Sequence, residues 1–129
     1  MNISVESNIQ SVLRLDAIYF KEIKFEQYSY GKYDEDVKVS FALKEKCNSD
    51  QLEMGIHFTI SGENTFTLEG ELVGIFSMDD KTDLSIGKLK TNAVAIMFPY
   101  LRSQVTLWTS QPMMSPIVLP PININKIFK

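Results

Sequence analysis

Residues able to do chemistry are sparse in this sequence. His57 is the only imidazole and Cys47 the only thiol, and a turn separates them. A metal site needs several such ligands at close spacing, so zinc is not expected. Cys47 stands at a strand end with no base and orienting group nearby, and an ordinary surface thiol accounts for it better than a nucleophile does. His57 falls on the polar parity of a strand, where a plain exposed or edge histidine is the expected reading and a binding role the lesser alternative. Glu69 and Glu71 share one strand face and could pair as the acid and base of a hydrolase. Two glutamates so placed are also what a solvated sheet face looks like, and that is the expectation. No glycine-rich loop follows a strand and opens a helix, so the sequence has no phosphate cradle. The expected sets of catalytic residues, metal ligands and cofactors are all empty, and the protein is not expected to be an enzyme.

The elements that would carry these residues are strands first and a helix afterwards. Over 13–26, Leu13, Leu15, Ala17, Tyr19, Ile23 and Phe25 share one parity, and Glu22, Lys24 and Glu26 the other, which predicts a half-buried strand. The polar, tyrosine-rich segment QYSYGKYDED reads as a loop. From Val37 to Glu45, Val37, Val39, Phe41 and Leu43 alternate with Lys38, Ser40 and Lys44. A third run sets Leu52, Met54, Ile56, Phe58 and Ile60 against Glu53, His57 and Thr59. A fourth, from Thr65 to Ser77, alternates Phe66, Leu68 and Leu72 with Thr67, Glu69 and Glu71. Short turns between them predict an antiparallel meander with one apolar and one polar face.

The apolar face needs a cover, and residues 83–110 offer one at near-helical spacing through Ile86, Leu89, Ala93, Ile96, Met97, Tyr100, Leu101, Val105 and Trp108. Gly87 and Pro99 suggest two helical pieces, with Pro99 in the first turn of the second. Pro112, Pro116 and Pro120-Pro121 then force an extended strap. That strap is apolar (Met113, Met114, Ile117, Val118, Leu119, Ile122, Ile124) and must lie against something. The expected fold class is α+β: a four-stranded antiparallel sheet with a long helix on one face.

Composition narrows the class of partner. The 129 residues suit a single domain over 1–129, and 44% hydrophobic with 22% charged residues is ordinary for a soluble chain. A net charge of -3 with no clustered Lys and Arg argues against nucleic acid. The start, MNISVESNIQ, has no signal-peptide pattern, and no run approaches the ~20 apolar residues of a membrane span. With one cysteine and no internal disulfide, a cytoplasmic location is expected.

Four segments, IYFKEIKFE (18–26), FTLEGELVGIFSM (66–78), FPYLRSQ (98–104) and LPPININ (119–125), give the chain a resemblance to the SecB family of bacterial protein-export chaperones, in order and spacing, from about Asp16 to Asn125. The resemblance implies a holdase that assembles as a tetramer, a dimer of dimers, binds unfolded polypeptide clients in apolar grooves, and delivers them to the motor ATPase SecA. By motif, it implies a SecA-docking face at Glu22, Glu26 and Glu69. Phe41, Leu43, Met113, Met114 and Ile117 are the expected client groove, Met suiting promiscuous contacts. Tyr100, Leu101, Val105 and Trp108 are the expected oligomer interface.

Each assignment has a plainer alternative: solvated glutamates for the docking face, ordinary packing for the methionines. Two departures bear on the resemblance. The sequence runs out four residues after ININ, where the family usually continues into a second helix and often an acidic tail, and it carries no C-terminal metal-binding tail. Two further hypotheses therefore stand beside the general holdase. One is a chaperone dedicated to a single client, such as the antitoxin of a toxin-antitoxin pair; the other is an oligomeric interaction protein without chaperone activity.

Overall fold

A computed structural model describes residues 13–29, 36–78 and 86–121. The expected strap residues Ile122 and Ile124, most of the first loop, and any helix before Ile86 lie outside these residues. The elements are β1 (Leu13–Gln27), β2 (Val37–Cys47), β3 (Gln51–Gly62), β4 (Phe66–Met78) and α1 (Ile86–Trp108). All strand pairs are antiparallel and the sheet order is β1-β4-β3-β2. The meander therefore runs through β2, β3 and β4, and β1 joins it beside β4. Gln27 and Val37 end up in one row of the sheet, three strand spacings or roughly 14 Å apart.

The two hairpins are set by local chemistry. Asn48 N–H closes the β2–β3 turn on the Gln51 carbonyl at 2.8 Å. At the β3–β4 turn, Thr65 N–H reaches the Gly62 carbonyl at 3.2 Å, and Asn64 takes the left-handed conformation at φ 61°. Asparagine tolerates that region better than most side chains.

β1 departs from simple alternation. Its register with β4 shifts between Leu15 and Ala17 and again between Phe20 and Glu22. Asp16 and Lys21 are the extra residues, and each bulge reverses the parity of the residues beyond it. Ala17 and Tyr19, expected on the apolar face, are turned outward as a result. Ile18 and Phe20 take their place against the core.

The core lies between α1 and the centre of the sheet. Leu52, Met54, Ile56, Phe58 and Ile60 of β3 and Phe66, Leu68, Leu72 and Phe76 of β4 are buried against Leu89, Ala93, Val94, Met97, Phe98, Leu101 and Val105 of α1. Gly74 permits this approach: a Cβ there would lie 2.9 Å from the Met97 sulfur and 2.9 Å from the Phe76 ring. The expected break at Pro99 does not occur, and α1 is one helix of 23 residues with Pro99 in its interior. The carbonyl that loses its partner belongs to Ala95. Both residues are exposed, so water can serve it.

After α1, the chain turns back on itself. Met114 N–H bonds the Gln111 carbonyl at 3.2 Å, with Pro112 and Met113 (φ 62°) as the central residues, the backbone of a type II turn. The strap beyond is fastened to the helix. Arg102 Nε donates to the Leu119 carbonyl at 2.9 Å, Thr106 Oγ1 to the Ile117 carbonyl at 2.7 Å, and Ile117 N–H to Thr109 Oγ1 at 2.8 Å.

Candidate functional site

The strap and the edge strand β2 frame the same side of the molecule. Phe98, Arg102 and Thr106 of α1, with Thr109 just past its end, fall along one flank at spacings of four, four and three residues. Phe98 meets Phe41 of β2 edge-on, with ring centroids 6.0 Å apart, while the other three residues hold the strap. The strap therefore runs along the flank of α1 that faces β2.

Helix α1 packs on β1, β3 and β4, so the core-facing row of β2 has little cover. Val37 and Val39 are exposed there, and Phe41 and Leu43 are half-buried. The result is an apolar shelf along β2 with the strap beside it. Of the expected groove residues, Phe41, Leu43, Met114 and Ile117 all pack partly against the core on this side. Met113 stands apart, 69% exposed at the tip of the turn, and Val118 of the strap is 70% exposed. Val37, Val39 and Val118 were not singled out by sequence. Their signal was available, since the valines at 37 and 39 share the parity of Phe41 and Leu43.

The opposite face of the sheet is polar. Glu22 and Glu26 of β1 and Glu69 of β4 all project from it, with Glu22 directly across from Glu71 and Lys24 across from Glu69. The charges are partly matched. Lys24 Nζ lies 3.3 Å from Glu22 and Lys21 Nζ 3.9 Å from Glu71, while His57 Nε2 is within hydrogen-bond distance of Glu69 at 3.1 Å. Glu26 has no ion pair among the described residues. Glu69 and Glu71 are thus each turned toward a different neighbour on a solvated face. His57 sits on an interior strand, half-buried, with Glu69 as its hydrogen-bond partner.

The expected oligomer residues divide. Leu101 and Val105 are 0% exposed and sit in the chain's own core, so neither has surface to offer a second copy. Their assignment to an interface is corrected on that ground. Trp108 is half-buried within its own chain, stacked on Phe58 at 6.3 Å and edge-on to Phe20 at 4.9 Å. Tyr100 does lie on the outer side of α1, and Leu107, which sequence reasoning missed, is exposed there too. Among the described residues no group of three His, Cys, Asp or Glu could hold a metal ion. No described helix is long and apolar enough to cross a membrane.

Comparison with known proteins agrees with this architecture. The family model for SecB, preprotein translocase subunit SecB, matches residues 6–129. The protein-export protein SecB of Xylella fastidiosa, in each of two strains, is 26% identical over 125 residues, covering 88% of this chain and 73% of the relative. Among solved structures, a SecB-like chaperone of Mycobacterium tuberculosis in complex with a ChAD peptide from the HigA1 antitoxin superposes with a TM-score of 0.71 at 14% identity. It covers 86% of this chain and 91% of that one. A Streptococcus agalactiae protein of unknown function superposes with a TM-score of 0.56 at 10% identity, covering 84% of this chain and 97% of its own. At these identities the structural matches speak to the fold.

Proposed function

The chain belongs to the SecB family, and from that premise we propose that it is a non-enzymatic holdase that keeps unfolded polypeptides from aggregating in the cytosol. The observation that carries this reading is the apolar shelf of Val37, Val39, Phe41 and Leu43, beside a strap that exposes Met113 and Val118. Apolar surface of this kind, continuous with the core and open at the sheet edge, suits the binding of apolar segments. Met113 adds a second argument. It holds a left-handed backbone that costs a non-glycine residue about 1–2 kcal/mol, while its side chain is left in water. Such an outlier supports a binding role for a flexible, polarizable side chain.

In this reading the exposed helix face with Tyr100 and Leu107 meets other copies, giving a tetramer built as a dimer of dimers. The acidic outward face around Glu22, Glu26 and Glu69 docks SecA, to which preproteins are handed. Lys24 among those glutamates makes that attraction modest and salt-sensitive. A dedicated role is the second reading, favoured by the likeness in fold to a chaperone solved with an antitoxin peptide. The same shelf would then serve one client.

The test is suppression of aggregation. The purified protein, its oligomeric state fixed by light scattering, is mixed at matched concentration with several unrelated denatured proteins. Protection of all of them is the expected result. Protection of a single antitoxin-like client moves the assignment to the dedicated chaperone, and protection of none refutes both.

A further inference from the structure

Strand β2 has a second feature, on the face opposite the shelf. Lys38, Lys44 and Lys46 project from it, and none has a carboxylate partner within ion-pair distance among the described residues. Lysines elsewhere are engaged: Lys21 with Glu71, Lys24 with Glu22, and Lys90 of α1 with Glu45. Lys44 and Lys46 rim an open hollow of about 380 Å³ over Gly55, lined also by Tyr19 and Val73, with Glu53 and Glu71 among its walls. Glu53 is directly across from Lys46 in register, yet no ion pair joins them. β2 also lies at the end of the sheet order, and among the described residues nothing pairs with its outer edge.

Spacing ties these facts together. At about 3.3 Å per residue, Lys44 and Lys46 are about 7 Å apart and Lys38 about 20 Å from Lys44. Those are even-numbered steps, the period at which an extended chain beside β2 presents its own outward side chains.

We infer that the preferred occupant of the shelf is an extended polypeptide segment in which apolar residues alternate with Asp or Glu. Its apolar side chains rest on Val39, Phe41 and Leu43, and its carboxylates stand beside Lys38, Lys44 and Lys46. The inference rests on the shelf being the client site, as proposed above, and adds the chemistry of the client. Lysines on an edge strand also discourage indiscriminate strand pairing. Here one charge pattern does both things, repelling basic strands and admitting acidic ones. The preference runs against the net charge of -3, which at long range attracts basic segments.

That opposition makes the test decisive. Three fluorescently labelled peptides share the same alternating Val, Phe and Leu positions and carry Asp, Ser or Lys at the positions between. Their affinities for the full-length protein are read by anisotropy at low salt. The Asp peptide is expected to bind most tightly and the Lys peptide least, about tenfold apart for three exposed pairs, with the gap narrowing as salt is raised. The K38Q/K44Q/K46Q variant, three positive charges poorer, is expected to lose the lead of the Asp peptide. Equal affinities for the unaltered protein, a lead for the Lys peptide, or an order that survives in the triple variant each overturn the inference while leaving the shelf in place. Failure of all three peptides to bind overturns the shelf reading and this inference with it.

Discussion

Replacing Thr109 with valine should loosen the strap at Ile117 while preserving most of the side-chain volume. Thr109 is fully buried. Its hydroxyl accepts the Ile117 N–H at 2.8 Å and donates to the Val105 carbonyl at 2.8 Å. The Val105 carbonyl keeps a second donor, the Thr109 backbone N–H at 3.0 Å, so the loss falls mainly on Ile117. A half-buried N–H without an acceptor costs about 1–3 kcal/mol. With a urea slope of about 1–3 kcal/mol per molar, the unfolding midpoint should fall by roughly 1 M. Protein concentration must be held fixed, because assembly shifts apparent stability.

Native-state hydrogen exchange gives the local readout. The Ile117 amide should exchange much faster in Thr109→Val while amides of β3 and β4 lose only what the global change dictates. Thr109→Ser is the control. It keeps the hydroxyl and removes one methyl, so stability drops by about 1 kcal/mol while the Ile117 amide stays protected. A valine variant with an unchanged midpoint and a protected Ile117 amide would show that packing of Leu119 and Met114 alone holds the strap, and the hydrogen-bond argument would be wrong.

Other substitutions probe the remaining contacts. Trp108→Ala removes the ring packed on Phe20 and Phe58 and should cost about 2–4 kcal/mol in urea unfolding; a loss below about 1 kcal/mol would mean the ring is not part of the core. Gly74→Ala should destabilise by about 1–3 kcal/mol through contact with Met97 and the Phe76 ring, and a smaller residue at 97 should recover part of that in a double-mutant cycle. Leu107→Glu is expected to lower the mass seen by light scattering without changing the far-ultraviolet circular dichroism, and an unaltered assembly would remove this face of α1 from the interface. Under the SecA docking proposed above, charge reversal at Glu22, Glu26 and Glu69 should weaken binding at low salt, and calorimetry showing equal affinity would refute that proposal.

Strand identity, fold class and the outward placement of the three glutamates were legible because alternation survives in β2, β3 and β4. In β1 it does not survive. Counting by twos from Leu13 put Ala17 and Tyr19 inside, whereas the bulges at Asp16 and Lys21 turn Ile18 and Phe20 inward. A bulge leaves composition untouched, so periodicity alone could not reveal it. The apolar residues on the supposedly polar parity, Ile18 and Phe20, were its one trace. Pro99 misled for a different reason. Its helix-breaking cost depends on whether the freed carbonyl can be hydrated, a question of which side faces water. The interface assignment failed at Leu101 and Val105 because an apolar helix stripe looks the same whether it meets its own sheet or another chain.

Dimensions explain why the apolar row of β2 is left partly uncovered among the described residues. A helix of 23 residues is about 34 Å long but only about 10–12 Å across with its side chains. Four strands place the outermost backbones roughly 14 Å apart, and side chains extend the apolar face beyond them. One helix crossing that face covers β3 and β4 and reaches β1, where Trp108 meets Phe20. Nothing of comparable width remains for β2 among the described residues. The strap is a single extended chain, fastened by its own carbonyls to Arg102 and Thr106, and it seals only the flank of α1. An apolar row that a lone surface strand does not need is kept on β2 from Val37 to Leu43 all the same. In the holdase reading proposed above, that row is the surface that takes up and gives back an unfolded segment.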